Sequence, residues 1–189
     1  MTTATSDQLT VLIDLFREYA IRYPEERTIV SGFYDLLASW PTSLDRTHMP
    51  GHLTGSAWVL SPDGSAVLLL HHRKLDRWLQ PGGHADGEGD LAAVAVRELH
   101  EETGISDVTV RPGIFDIDIH DIPARGEVPE HQHFDVRFCM YPSERREPRK
   151  NHESHSVIWQ PLDRVGDLTR EESIRRMVEK SEGWGKRSG

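Results

Sequence analysis

Three glutamates near the middle of the chain, Glu98, Glu101 and Glu102, are spaced so that a helix would carry all three on one face. Carboxylates that close repel one another, and without a counter-charge at least one would hold a proton. A hard divalent cation resolves the conflict, because a dense cluster of oxygen ligands suits Mg²⁺ or Mn²⁺. The competing explanation is a solvated acidic helix face. Two neighbours favour the metal: Arg97 stands beside Glu98, and a glycine turn, Pro81-Gly82-Gly83-His84, leads towards the helix.

The elements that would position these groups are legible around them. Asp90 is a good N-cap for the glutamate helix, Gly104 a good stop, and Ala92, Ala95, Val96 and Leu99 supply its buried stripe. Upstream, strands are expected over 52–60 and 66–72, joined by the turn Ser61-Pro62-Asp63-Gly64. A basic loop, 73–77, then leads through Trp78-Leu79-Gln80 to the glycines. Downstream, Phe115, Ile117 and Ile119 alternate with Asp116, Asp118 and His120. Further on, Phe134, Val136, Phe138 and Met140 alternate with His133, Asp135, Arg137 and Cys139. The apolar sets should enter a core, and the polar sets face solvent by default. At the N-terminus, Ser6 caps a helix through about Arg22, and Pro24 opens a second carrying Ile29, Phe33, Leu36, Leu37 and Trp40. These stripes suit core packing; a dimer surface or a lid is the alternative. A linker, 41–50, follows. A last helix is expected over 171–180.

Residues 81–105 resemble the signature of the Nudix hydrolases, Gly-x5-Glu-x7-Arg-Glu-U-x-Glu-Glu-x-Gly-U, where U is bulky and apolar. Gly83, Arg97, Glu98, Leu99, Glu101, Glu102, Gly104 and Ile105 fall at the family's spacing. One position departs: Gly89 stands where the signature has its first glutamate, with Glu88 and Asp90 on either side. The resemblance implies an α/β (α+β) fold, a Nudix-like α/β/α sandwich with a mixed sheet. That domain would cover 46–180, with an N-terminal helical extension over 1–45 and a flexible tail over 181–189.

It also implies an activity: Mg²⁺-dependent hydrolysis of a nucleoside diphosphate linked to another moiety. Glu101 and Glu102 would be the principal metal ligands, and Glu98 a further ligand or the general base. Glu153, before the strand-like run Ser154 to Trp159, is a candidate fourth acid, as ligand or base. A carbonyl of Gly82 or Gly83 would complete the coordination, and Arg97 would orient a box carboxylate. One sheet face would line the cleft, making His133, Asp135 and Arg137 candidates for phosphate or base, with His84 near phosphate and Gln80 at a base edge. Two rivals remain: a regulatory nucleotide-binding module without catalysis, for which Gly89 is the only sign, and a diphosphate isomerase of the same fold. The isomerase chemistry wants an early active-site cysteine, whereas Cys139 lies late.

Composition bounds the partners. In 189 residues, 37% are hydrophobic and the net charge is −9, which suits a core-forming protein and disfavours nucleic-acid polymers. A nucleotide ligand is still compatible, since bound metal reverses the local sign. Cys139 is alone, the N-terminus lacks signal-peptide order, and no apolar run approaches membrane-spanning length. A soluble cytoplasmic protein, with a homodimer as one option, is expected. Eleven histidines raise the question of zinc. His131 and His133 would need to meet His152 and His155, and no cysteine pair or His-Glu-x-x-His helix supports that, so structural zinc is not expected.

Overall fold

The computed structural model describes residues 4–184, so 185–189 of the expected tail lie outside the described residues. In chain order the elements are α1 (Ser6–Arg22), α2 (Arg27–Leu37), β1 (Gly51–Val59), β2 (Ala66–His72), β3 (Arg77–Leu79), β4 (Gly82–His84) and α3 (Leu91–Thr103). There follow β5 (Val108–Val110), β6 (Asp116–Ile122), β7 (His131–Pro142), β8 (Ser154–Pro161) and α4 (Glu172–Trp184). One sheet has the order β4-β1-β7-β5, with β6 also paired to β7, and the other is β3-β2-β8. The first sheet is mixed. Gln132 N donates to Pro50 O and Leu60 N to Met140 O, so β1 and β7 advance together, whereas β4, β5 and β6 pair antiparallel.

The chain divides into two compact units. The first takes the chain up to Ser56, then Gly82–Ala95 and Pro112–Phe138; the second holds Ala57–Pro81, Val96–Arg111 and the chain from Cys139 onward. In the first unit, α1 is capped by Thr5 rather than Ser6. Gln8 N donates to Thr5 Oγ1 at 3.2 Å and Thr5 N to Gln8 Oε1 at 2.9 Å, a reciprocal capping box that needs Gln8 three residues on. Helix α2 starts at Arg27, not Pro24, because Pro24–Glu26 forms a short 3₁₀ turn. Phe16 of α1 and Phe33 of α2 have ring centroids 4.8 Å apart, and Phe33 meets Phe134 of β7 edge-on at 5.4 Å. The two helices thereby close the apolar face of β6 and β7. The expected linker is also packed, with Ser43 and Leu44 buried in a short 3₁₀ turn.

This packing accounts for the departure at Gly89. A Cβ there would meet Gln8 Oε1 at 2.8 Å and the Trp40 ring at 3.1 Å. Gln8 is not free to swing away, since it completes the α1 cap and donates to Glu88 Oε1 at 3.3 Å. The N-terminal helices occupy the space that a glutamate side chain would need.

In the second unit, Leu68, Leu69, Trp58, Trp159, Ile174 and Met177 form the core. Trp58 Nε1 donates to Ser181 Oγ at 2.8 Å, and Ser181 Oγ donates to Met177 O at 2.7 Å. The expected tail therefore begins too early: Ser181–Trp184 continue α4, because a fully buried indole N–H needs the Ser181 hydroxyl.

Gly89→Glu should destabilise the protein by about 1–3 kcal/mol through overpacking. Equilibrium urea denaturation measures this, and an unchanged midpoint would show that α1 and Trp40 yield freely.

Candidate active site

Helix α3 begins where Asp90 Oδ1 accepts from the amides of Ala92 and Ala93, at 3.1 and 3.0 Å. It ends at Gly104, whose φ of +74° suits glycine. Its last two turns belong to the second unit and carry the acids. Glu102 is buried, the Glu98 side chain is 18% exposed and that of Glu101 60% exposed. Arg97 Nη2 donates to Glu98 Oε1 at 2.9 Å, and its Nε lies 4.0 Å from Glu101 Oε1. Arg97 is thus paired with two box carboxylates. In the same unit Arg149 N donates to Thr103 O at 2.8 Å, fastening the segment before β8 to the end of α3. Glu153 lies at the end of that segment, its carbonyl accepting from Arg73 N at 2.8 Å and its half-exposed carboxylate 3.9 Å from His152 Nε2. Gln80, also in this unit, is half-buried after β3.

In the first unit, Gly83 and His84 are not on a turn. They form β4, in register with Gly55 and Thr54 of β1. The polar face of β7 is not solvated either. Asp135 and Arg137 are buried, and the guanidinium that the family resemblance offered to a phosphate is engaged by three carboxylates. Its Nε donates to Asp135 at 2.7 Å, its Nη1 to Asp116 at 2.9 Å, and its Nη2 lies 3.2 Å from Asp118. Burial alone would lower the Arg137 pKa, but these three acids hold it above the ordinary value. Thr54 and Ser56 of β1 donate to Asp135 Oδ1 at 3.0 and 2.7 Å, completing the network. The register explains the set: Asp116 pairs with Arg137 and Asp118 with Asp135, so all share one face.

Farther along that face the charges give way to histidines. His133 pairs with His120, and the His52 ring lies 5.1 Å from His84, 5.0 Å from His131 and 4.9 Å from His133. His52 is pushed down to about 4, first by burial and then by His84; His133 is pushed down to about 2 by burial and then its imidazole neighbours. Both are neutral at pH 7. Among the described residues, His52, His131 and His133 bring ligand nitrogens within 4.8 Å of one another. Glu98, Glu101 and Glu102 do not converge to that degree; they are spread over about one helical turn.

A family model for the NUDIX domain matches residues 51–180. The chain belongs to the Nudix family. The family is one of hydrolases that act on nucleoside diphosphate derivatives. Over 63 residues this Nudix protein is 40% identical to Nucleoside diphosphate-linked moiety X motif 6 of Xenopus laevis. That match spans 30% of this chain and 29% of the relative, so less than a third of either. Among solved structures it resembles the MutT protein of Methanosarcina mazei Go1, with a TM-score of 0.58 and 19% identity over 72% of this chain and 96% of that one. It also resembles the Nudix hydrolase RenU of M. smegmatis, with a TM-score of 0.54 and 22% identity over 71% and 86%. At these identities the likeness is one of fold.

The sequence pointed to the acids of the Nudix box but passed over His52. Its only signal was the alternation His52-Thr54-Ser56, whose match to His131-His133-Asp135-Arg137 emerges once β1 is known to lie beside β7. His152 is exposed, and the His155 ring lies 5.3 Å from His71.

Two outcomes follow for stability. Arg137→Met leaves buried acids without their cation and should cost about 3–5 kcal/mol by urea denaturation; a loss below about 1 kcal/mol would mean the network is weakly coupled. The unfolded chain protonates His52 near pH 6.5, the fold only near 4. Its contribution is therefore whole above about pH 6.5 and declines as pH falls towards 4. In metal-free buffer the wild-type midpoint should drop across that window, and His52→Asn should flatten the drop; a wild-type midpoint independent of pH there would contradict the assignment.

Proposed function

We propose that this chain is a divalent-metal-dependent pyrophosphohydrolase that cleaves a nucleoside diphosphate linked to another moiety, with Mg²⁺ as the natural ion and Mn²⁺ as a substitute. The observation that carries the reading is the acidic end of α3: buried Glu102, half-buried Glu98 and exposed Glu101, with Arg97 bridging the latter two. An all-oxygen donor set graded from interior to surface fits a hard cation that must also meet a phosphate in solution. When bound, such an ion neutralises phosphate charge and acidifies water.

The protein's own groups then divide the work. Glu101 and Glu102 are assigned as principal ligands. Glu98 is assigned as a third ligand, its carboxylate oriented by the Arg97 hydrogen bond. Glu153 is assigned as the base: it follows Arg149, whose amide is bonded to Thr103 at the end of α3, and no arginine pairs with its carboxylate among the ion pairs of the described residues. Water attacks phosphorus in line, its proton passes to Glu153, and the bridging P–O bond breaks. The products are a nucleoside monophosphate and the phosphorylated second moiety.

The rival readings lose their support. Gly89, the sole sign of a non-catalytic module, is explained by the Gln8 and Trp40 contacts. Cys139 is buried and its thiol is pushed up to about 12 by burial, which does not suit an isomerase cysteine. No helix among the described residues is long and apolar enough to cross a membrane. With a single buried thiol, this supports a cytoplasmic enzyme.

The test is turnover of a nucleotide-derivative panel with Mg²⁺, read as phosphate release after phosphatase coupling. Glu101→Gln and Glu102→Gln should each lose at least about 100-fold in rate while circular dichroism stays unchanged. Glu153→Gln should lower kcat more than it raises KM. Wild-type turnover in both box variants would defeat the metal assignment.

A further inference from the structure

The imidazole cluster lies in the first unit, apart from the acidic end of α3 in the sequence, and the hydrolytic reading does not use it. We propose that His52, His131 and His133 form a binding site for a borderline divalent transition cation of the zinc class. Their ligand nitrogens already lie within 4.8 Å of one another. Zn–N bonds of about 2.0–2.1 Å would draw them to roughly 3.4 Å in a tetrahedral site, a change that small side-chain rotations supply.

The hydrogen bonds of two of the rings agree. His131 Nδ1 faces Pro129 O at 2.9 Å, and His52 Nδ1 faces His48 O at 3.5 Å. A backbone carbonyl at Nδ1 places the proton there and leaves Nε2 with a free lone pair, the usual arrangement behind a metal-bound histidine. His52 Nε2 and His133 Nε2 are both buried with no hydrogen-bond partner, and His52 is 1% exposed. Buried ring nitrogens without a partner are costly, and a cation at the lone pair of His52 Nε2 would satisfy it. An all-nitrogen set disfavours Mg²⁺ and Ca²⁺ and favours Zn²⁺ and its neighbours in the first transition row. The ring of His84 lies 5.0 Å from His133.

The strands hold the three ligands rigidly. His131 and His133 sit two residues apart on β7, so both point to one face, and His52 stands on neighbouring β1. No loop has to move to assemble the set.

The full-length protein, stripped with chelator, would be titrated with Co²⁺ as the spectroscopic probe and then with Zn²⁺ in competition. About one equivalent of Co²⁺ should bind with the visible absorption of a four- or five-coordinate nitrogen site, and Zn²⁺ should displace it. His131→Gln and His52→Asn should each weaken binding by about 100-fold or more, whereas Glu101→Gln should leave the spectrum unchanged. Because buried histidine variants can fail to fold, X-ray absorption on the zinc-loaded wild type gives a second reading. Imidazole outer-shell scattering is expected. An oxygen-only shell, absence of saturable binding, or loss of the Co²⁺ spectrum in Glu101→Gln would each overturn the site.

Discussion

Arg137 is a permanently charged group on a strand that is covered on both faces, and the surrounding sheet is arranged to meet that charge. Water does not reach it, so its donors must be satisfied by the chain. Asp135 comes from the same strand, Asp116 and Asp118 from β6 across the ladder, and Thr54 and Ser56 from β1 to hold Asp135 in turn. Each partner reaches the guanidinium only in the observed register. A slip of one residue would turn the acids to the other face and leave the charge buried alone. The network therefore fixes β6 on β7, and through Thr54 and Ser56 it ties β1 to the same face.

With that register set, the rest of the face follows. The alternation that brings Asp135 and Arg137 to one side brings His131 and His133 with them, and β1 delivers His52 alongside. The same alternation sends Phe134, Val136 and Phe138 to the opposite side, where Phe33 closes over Phe134. One strand thus serves two interiors, a charged one and an apolar one. The helices that complete the apolar side also press Gln8 and Trp40 onto Gly89, so a packing choice far upstream in sequence reaches into the signature box.

The acidic end of α3 follows a different logic. It owes its geometry to local spacing, an N-cap and a stop, and Arg97 balances part of its charge from the neighbouring position. Carboxylates arranged by helix periodicity alone can be graded from buried to exposed, and the proposed hydrolytic reading rests on that gradient.

The box helix, its cap at Asp90, its end at Gly104 and the shared face of Glu98, Glu101 and Glu102 were all legible in the sequence, because they depend on contacts within a few residues. The strand around 133–140 was legible for the same reason, through alternation, and those around 52–60 and 66–72 through the turn between them. Other features were decided by the tertiary structure. Alternation says which side chains share a face but not what covers that face, so Asp135 and Arg137 looked like candidates for a ligand and turned out to serve each other. It does not say which strands are neighbours, so His52 could not be joined to His131 and His133. Nor could the sequence explain Gly89, because the atoms that exclude a side chain there belong to Gln8 and Trp40, brought close only when the helices fold onto β6 and β7.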